Sequence, residues 1–302
     1  MKIWGITDGS AGMVAQVNAL AISLGFVPEM KIISLKKPWS FLPNICYDFL
    51  PARIAVKTIL PPPYPDLIIS CGRKAAIVAV AIKKLNPQTK TIHIQDPQMS
   101  ADNFDLIIAM DHDKIIAKNV IKTRFALHNI TKEKLANARA KFTAVFEKYS
   151  KPHIAVLLGG TTNKYTLTNA RMMTLINQLI AKLDSIEGSL LITTSRRTGA
   201  KNIELLKGVF AGNKRVYIYD GIAENPYMGL LACSNEIMVS NDSVNMMSEA
   251  FATGKKVSIL ELEAHKNTKP SRFAEMLKKQ PKMIGDEMNN LARDIKNFLA
   301  ID

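Results

Sequence analysis

Short runs rich in Ile, Leu and Val recur along the chain, separated by helix-length stretches. In the first half, KIWGI (Lys2–Ile6), KIISL (Lys31–Leu35), DLIIS (Asp66–Ser70), KTIHI (Lys90–Ile94) and FDLIIA (Phe104–Ala109) predict strands. HIAVLL (His153–Leu158), SLLITT (Ser189–Thr194), RVYIYD (Arg215–Asp220), EIMVS (Glu236–Ser240) and KVSIL (Lys256–Leu260) continue the series. These runs are nearly continuous in apolar residues instead of alternating, as strands buried on both faces of a parallel sheet must be. Helices are expected at Met13–Leu24, Lys74–Leu85, Ala170–Leu183 and Ser243–Thr253. The alternation predicts an α/β protein with open, mostly parallel sheets.

The pattern breaks once, at FEKYSKP (Phe146–Pro152). A charged helix over Lys132–Lys148 ends there, a Ser-Lys-Pro turn follows, and a new strand–Gly-Gly–helix unit opens at His153. The expected domains are therefore residues 1–149 and 150–302, each a doubly wound, Rossmann-like half, with a cleft between them. In such folds ligands bind beyond the carboxyl ends of the strands, so each strand-to-helix loop is a candidate site.

Charge narrows the partner class without choosing a partner. Lys and Arg number 40 against 26 Asp and Glu, a formal charge of +14, which favours anions: phosphorylated small molecules, anionic lipid or nucleic acid. The basic residues are dispersed and no nucleic-acid module is recognisable, so nucleic acid ranks last. Three cysteines without a CxxC spacing suggest neither a disulfide framework nor a zinc cluster, in keeping with a reducing cytoplasm. The segment MKIWGITDGSAG lacks the apolar core of a signal peptide, and AAIVAVAI (Ala75–Ile82) is far shorter than a membrane span. A cytoplasmic protein, free or peripheral on the inner face of a membrane, is expected.

Several loops carry residues suited to anion chemistry. TDGSAG (Thr7–Gly12) brings Gly9 and Gly12 to a helix start and leaves Asp8 available as a base, although a tight turn capped by Asp8 or Ser10 would look the same. LLGGTTNKY places Gly159, Gly160 and Thr161 where backbone N–H groups could cradle a phosphate. TTSRRTG sets Ser195, Arg196 and Arg197 at a strand end, where paired guanidinium forks suit a diphosphate. DGIAENPY carries Asn225 ahead of a helix that Pro226 can start. These three loops of the second half converge on one sheet edge with a fourth, SNDSVNMMSEA.

SNDSVNMMSEA (Ser240–Ala250) is helix-like yet has no Lys or Arg. Asp242 is expected to cap the helix, with Val244, Met247 and Phe251 toward the sheet and Asn245 and Glu249 on another face. A carboxylate at Glu249 could accept hydrogen bonds from a ribose diol, or simply be solvated. In the first half IQDPQ holds Gln95 and Asp96, and Asp111-His112-Asp113 resembles a metal site but fits a surface turn better. LKKPWSFLP sets Lys36 and Lys37 beside Trp39 and Phe41, a combination suited to a membrane interface and equally to a loop packing its aromatics inward.

The set TDGSAGM, CGRKAA, IQDP, LLGGTTNKY, TTSRRTG, ENPYMGLLACS and SNDSVNMMSEAFATGKKV resembles the mitochondrial fission ELM family over nearly the whole chain. That family looks like a branch of the GT-B glycosyltransferase superfamily. The resemblance implies two facing Rossmann-like domains, with the acceptor on the N-terminal one and a nucleotide-diphosphate sugar on the C-terminal one. The last helix is expected to pack back on the N-terminal domain. By position, Gly160 and Arg197 would face the diphosphate, Ser243 the phosphates at the helix start, and Glu249 the ribose. Gly9, Gly12, Arg73, Gln95 and Asp96 would fall on the acceptor side. The implied activity is a glycosyl transfer needing no metal and no organic cofactor, with an envelope- or membrane-associated acceptor. The alternative is a non-catalytic peripheral membrane or scaffold protein with a vestigial nucleotide pocket.

Overall fold

Apolar runs that never alternate leave no face for water, and the structure buries Ile3–Thr7, Leu67–Cys71, Leu106–Met110 and His153–Leu158 on both sides, while the runs at the sheet edges stay half-exposed. The computed structural model describes residues 1–50, 55–57, 60–111, 113–219, 221–265, 273 and 287–299. The chain divides into two compact units, Met1–Asn129 with Asp286–Asp302, and Ile130–Gly285.

The first unit holds β1 (Ile3–Thr7), α1 (Ala11–Ser23), β2 (Glu29–Ile32), β3 (Leu67–Cys71), α2 (Arg73–Leu85), β4 (Lys90–Ile94), β5 (Leu106–Met110) and β6 (Val120–Thr123). Its strands form one parallel sheet in the order β2-β1-β3-β4-β5-β6. Successive residues of one strand feed opposite cores: Ile68 packs with Ile77 and Val80 of α2, whereas Leu67 and Ile69 pack with Val17 and Leu20 of α1. The helix Glu287–Leu299 closes the α1 side through Leu291, Ala292, Ile295 and Leu299.

The second unit opens on α3 (Lys132–Phe146) and continues through β7 (His153–Leu158), β8 (Tyr165–Thr166), α4 (Asn169–Asp184), β9 (Ser189–Thr194), α5 (Ala200–Val209) and β10 (Val216–Ile218). It ends with α6 (Tyr227–Cys233), β11 (Glu236–Ser240), α7 (Val244–Ala252), β12 (Lys256–Leu260) and β13 (Glu263–Ala264); the helix Glu287–Leu299 of the first unit is α8. The parallel order is β10-β9-β7-β11-β12, and β8 pairs antiparallel with β13. Helix α3, which the sequence break left on the N-terminal side, packs on α6 of the second unit. Its Arg139 guanidinium donates to the carbonyl of Ala232 at the end of α6, and the Lys255 ammonium donates to the same oxygen at 2.9 Å. Two cations thus meet the negative end of one helix. Burial, then repulsion from Arg139, lowers Lys255 to about 8.

Three departures from the sequence pattern have clear causes. The second strand lies at Glu29–Ile32 instead of 31–35, because its register on β1 pairs Trp4 with Glu29 and Thr7 with Ile32. The edge strand β6, VIKT, is too short and too exposed to leave an apolar run. The pair β8 and β13 spans two residues on each side, below any periodicity. Among the described residues no helix is long and apolar enough to cross a membrane.

Two buried histidines tie this fold to pH. His93 on β4 is fully buried, its Nδ1 2.8 Å from Ser70 Oγ and its Nε2 without a partner among the described residues. Burial lowers His93 to about 3 and His128 to about 4, from an ordinary 6.5. Below 6.5 the unfolded chain takes up protons that the folded imidazoles refuse until about 4 and about 3. Their contribution to stability is therefore complete above the ordinary 6.5 and is lost progressively as pH falls below it. Melting temperatures should drop between about pH 7 and about pH 5, and the slope should flatten in His93→Leu. An unchanged slope in the variant would locate the acid sensitivity elsewhere.

Candidate functional site

The order of strands reverses around β7: the connection through α4 leads to β9 on one side, while β11 lies on the other. Loops leaving β7 and β11 therefore meet at the switch point of the second sheet, the usual ligand crevice of an open α/β fold. Here they meet so closely that only glycine fits. A Cβ on Gly159 would lie 2.1 Å and 2.2 Å from the two carboxylate oxygens of Asp242. A Cβ on Gly160 would lie 2.0 Å from the carbonyl oxygen of Arg197.

The Gly-Gly loop is a nest already filled by the protein's own acceptors. Gly159 N–H donates to Ser240 Oγ at 2.7 Å, Gly160 N–H to Asp242 Oδ2 at 3.1 Å, and Thr161 N–H to the Arg197 carbonyl at 3.0 Å. The Asp242 side chain is 0% exposed and also accepts from Ser240 Oγ at 2.6 Å and from the Arg197 guanidinium at 2.9 Å. An internal carboxylate thus occupies the place in which the sequence suggests a phosphate. The expectation that Asp242 caps the following helix is corrected at the same time. Ser243 is the N-cap of α7, accepting from Met246 N–H at 3.3 Å, because the Asp242 carboxylate is drawn back to the glycines and Arg197.

The arginine turn is built on a capping box. Ser195 Oγ accepts from Arg197 N–H at 3.2 Å, and Thr198 Oγ1 accepts from Ser195 N–H at 3.0 Å. The buried Thr198 hydroxyl also donates to the Gly159 carbonyl at 2.5 Å, tying this turn to the glycine loop. Arg196 and Arg197 are both exposed; Arg197 is committed to Asp242, while Arg196 has no partner among the described residues.

Glu249 belongs to a second cluster six residues along α7. Its carboxylate accepts a hydrogen bond from the Tyr227 hydroxyl at the start of α6. Burial raises Glu249 above its ordinary value, partly offset by that hydrogen bond. Burial and the neighbouring carboxylate hold the Tyr227 phenol well above 10, so it remains the donor. Asn225 Oδ1 accepts from Tyr227 N–H at 3.0 Å and so fixes the start of α6. The rise along α7 from Ser243 to Glu249 is about 9 Å. Met247, Ser248, Ala250 and Phe251 form the buried side of α7, whereas Val244 is only partly buried.

The residues expected on the acceptor side gather at the corresponding edge of the first sheet, whose switch point lies between β1 and β3. Asp8 follows β1, accepts from Ser10 N–H at 3.1 Å and lies 3.6 Å from Lys74 at the start of α2. Gly9 and Gly12 flank the start of α1, and Arg73 opens α2 with its guanidinium on the Ser40 carbonyl at 2.9 Å. Gln95 follows β4 with φ 81°, a left-handed backbone that marks local strain beside Asp96. Of the turn proposed for a membrane, Lys36, Lys37 and Phe41 are exposed, while Trp39 packs partly on the core. In the Asp111–Asp113 turn Asp113 accepts from Met110 N–H at 3.0 Å, and His112 lies outside the described residues.

Tyr227, Ser240, Thr198 and Lys74 are missing from the sequence-derived set. Thr198 carried a signal, the Ser-x-x-Thr spacing of its capping box. Tyr227 carried none, since it meets Glu249 only through tertiary packing.

A sequence model of mitochondrial fission ELM1 matches residues 11–286. The chain belongs to the mitochondrial fission ELM1 family. Within curated proteins it is 29% identical to protein RP120 of Rickettsia prowazekii (strain Madrid E), covering 93% of this chain and 89% of that one. It is also 29% identical to the mitochondrial fission protein ELM1 of Arabidopsis thaliana over 72% of this chain, and spans 56% of the plant protein's length. Its fold is similar to that of the UDP complex of S. aureus MnaA, with a TM-score of 0.60 at 13% identity, covering 100% of this chain and 98% of that one. The UDP-GlcNAc 2-epimerase of Neisseria meningitidis bound to UDP-GlcNAc gives a TM-score of 0.54 at 14% identity, covering 99% and 92%. These similarities, with the two parallel sheets, give this family member a GT-B-like α/β fold.

Proposed function

We propose that this ELM1-family protein binds a nucleotide-diphosphate sugar on its second unit and transfers the sugar to an envelope- or membrane-associated acceptor. One observation carries the reading: Arg196, Arg197 and the N-terminus of α7 stand at a sheet switch point, about 9 Å along α7 from the partly buried Glu249. The unpartnered Arg196 and the free edge of Arg197 suit phosphate oxygens. Glu249, oriented by Tyr227, suits the ribose diol, and a fold relative whose structure contains UDP adds support. In the transfer, the acceptor oxygen bonds to the anomeric carbon as the bond from that carbon to the diphosphate oxygen breaks. The diphosphate leaves with the electron pair, its charge stabilised by the arginines and the α7 dipole. Asp8 is the residue proposed to take the acceptor proton. No step in this scheme requires a metal or an organic cofactor.

A second reading, a non-catalytic peripheral protein of the same family, is favoured by the Gly159–Gly160 nest, whose N–H groups already donate to Ser240 and Asp242. A melting-temperature panel of nucleoside diphosphates and their sugars separates the two. Ligand at about 100 times its Kd should add about 2.7 kcal/mol, a shift of a few degrees, and Glu249→Ala should lose it. No shift with any UDP, GDP, CDP or ADP compound would sink the nucleotide reading. A shift without release of free nucleoside diphosphate in the presence of membranes would favour the non-catalytic one.

A further inference from the structure

Four large apolar side chains stand in water on the first unit within ten residues of one another: Phe41 at 73% exposure, Ile45 at 59%, Phe49 at 89% and Leu50 at 38%. They belong to, or directly follow, two consecutive 3-10 turns, Trp39–Phe41 and Asn44–Asp48. These turns are firmly anchored from beneath. Tyr47 is fully buried and its hydroxyl donates to the Trp39 carbonyl at 2.7 Å. Asn44, also fully buried, donates to the carbonyls of Arg73 and Pro97 at 2.8 Å each. Trp39 and Leu42 pack on the core, so the side chains between these anchors are held outward. Each large apolar group left in water forgoes about 1.5–3 kcal/mol of burial, and a cluster of them marks a contact surface.

The charge around this face selects what covers it. Lys36, Lys37 and Lys57 are exposed and have no ion-pair partner among the described residues. Asp48, the only acidic residue from 36 to 57, is turned to Ser100 N–H, at 3.1 Å, and to Asn103. The whole chain carries +14. We infer that this pair of turns docks on a bilayer containing anionic lipid. Phe41, Ile45, Phe49 and Leu50 enter the boundary between headgroups and acyl chains, and Lys36, Lys37 and Lys57 meet the phosphates. The surface belongs to the first unit and does not depend on the nucleotide reading of the second.

Co-sedimentation of the full chain with phosphatidylcholine vesicles, with and without about one-third phosphatidylglycerol, tests this. Binding should be at least about tenfold stronger with the anionic lipid, and brominated acyl chains should quench Trp39, because the second tryptophan, Trp4, is buried. Phe41→Ser with Phe49→Ser should weaken binding about tenfold without lowering the melting temperature, and Lys36→Glu with Lys37→Glu should bring it to the neutral-lipid level. If the phenylalanine variant does not fold, the lysine variant and the quenching decide alone. Three results would overturn the inference: no sedimentation of the wild type, undiminished binding by either folded variant, or a dimer that the phenylalanine changes dissociate while vesicles go unbound.

Discussion

Replacing Asp242 with alanine should lower stability by about 2–4 kcal/mol and abolish any nucleotide-dependent rise in melting temperature. This carboxylate has no exposed surface and takes hydrogen bonds from Gly160 N–H, Ser240 Oγ and Arg197, three groups on three different loops. Its removal leaves the Gly160 donor unsatisfied inside a space that only Gly159 and Gly160 make possible. Arg197→Ala should cost much less, since the arginine side chain is 46% exposed and water replaces its half of the pair. Asp242→Asn should fall between the two, keeping the shape but not the charge. Denaturant midpoints give the comparison, and a change in Asp242→Ala below about 0.5 kcal/mol would mean that the carboxylate does not hold the loops together.

Gly160→Ala is expected to be the other severe change, costing about 3 kcal/mol or preventing folding. The new methyl would lie 2.0 Å from the Arg197 carbonyl oxygen, 2.2 Å from its carbon and 2.5 Å from Thr198 N. All three are backbone atoms, so no side-chain rotation relieves the clash. The turn at Arg196–Thr198 has to move, which breaks the Thr161 N–H bond to the Arg197 carbonyl and displaces both arginines. If the variant folds, arginine-dependent nucleotide binding should be lost while the spectroscopic signature of the first unit persists. A soluble variant with the wild-type melting temperature and ligand response would contradict the close approach of these loops.

The sheets were legible because burial on both faces writes itself into composition. LIISC of β3 and HIAVLL of β7 have no polar face to hide, so their strand character survives without any tertiary information. The strand β6 was not legible, because VIKT lies at a half-exposed edge and is too short to show a pattern. Within the candidate site, Gly159, Gly160, Ser195, Arg197 and Asp242 could be picked out from their positions after strands and are brought together. Their roles could not. Asp242 looked like a helix cap because a short polar residue before SVN is what a cap looks like locally. It serves instead as the anion in the glycine nest, a choice set by loops that lie 82 and 45 residues away in sequence.

The amino-acid sequence by itself determined the α/β class, most strand and helix positions, the basic balance and the loops worth attention. Each of these follows from local spacing or from composition, which the chain carries without folding. Only the tertiary structure decided which donors were already spent, that Tyr227 rather than water holds Glu249, and that Phe41 stays exposed while Trp39 turns inward. Those outcomes depend on contacts between segments distant in sequence, where a hydrogen bond or a steric limit of a few tenths of an ångström outweighs any local preference.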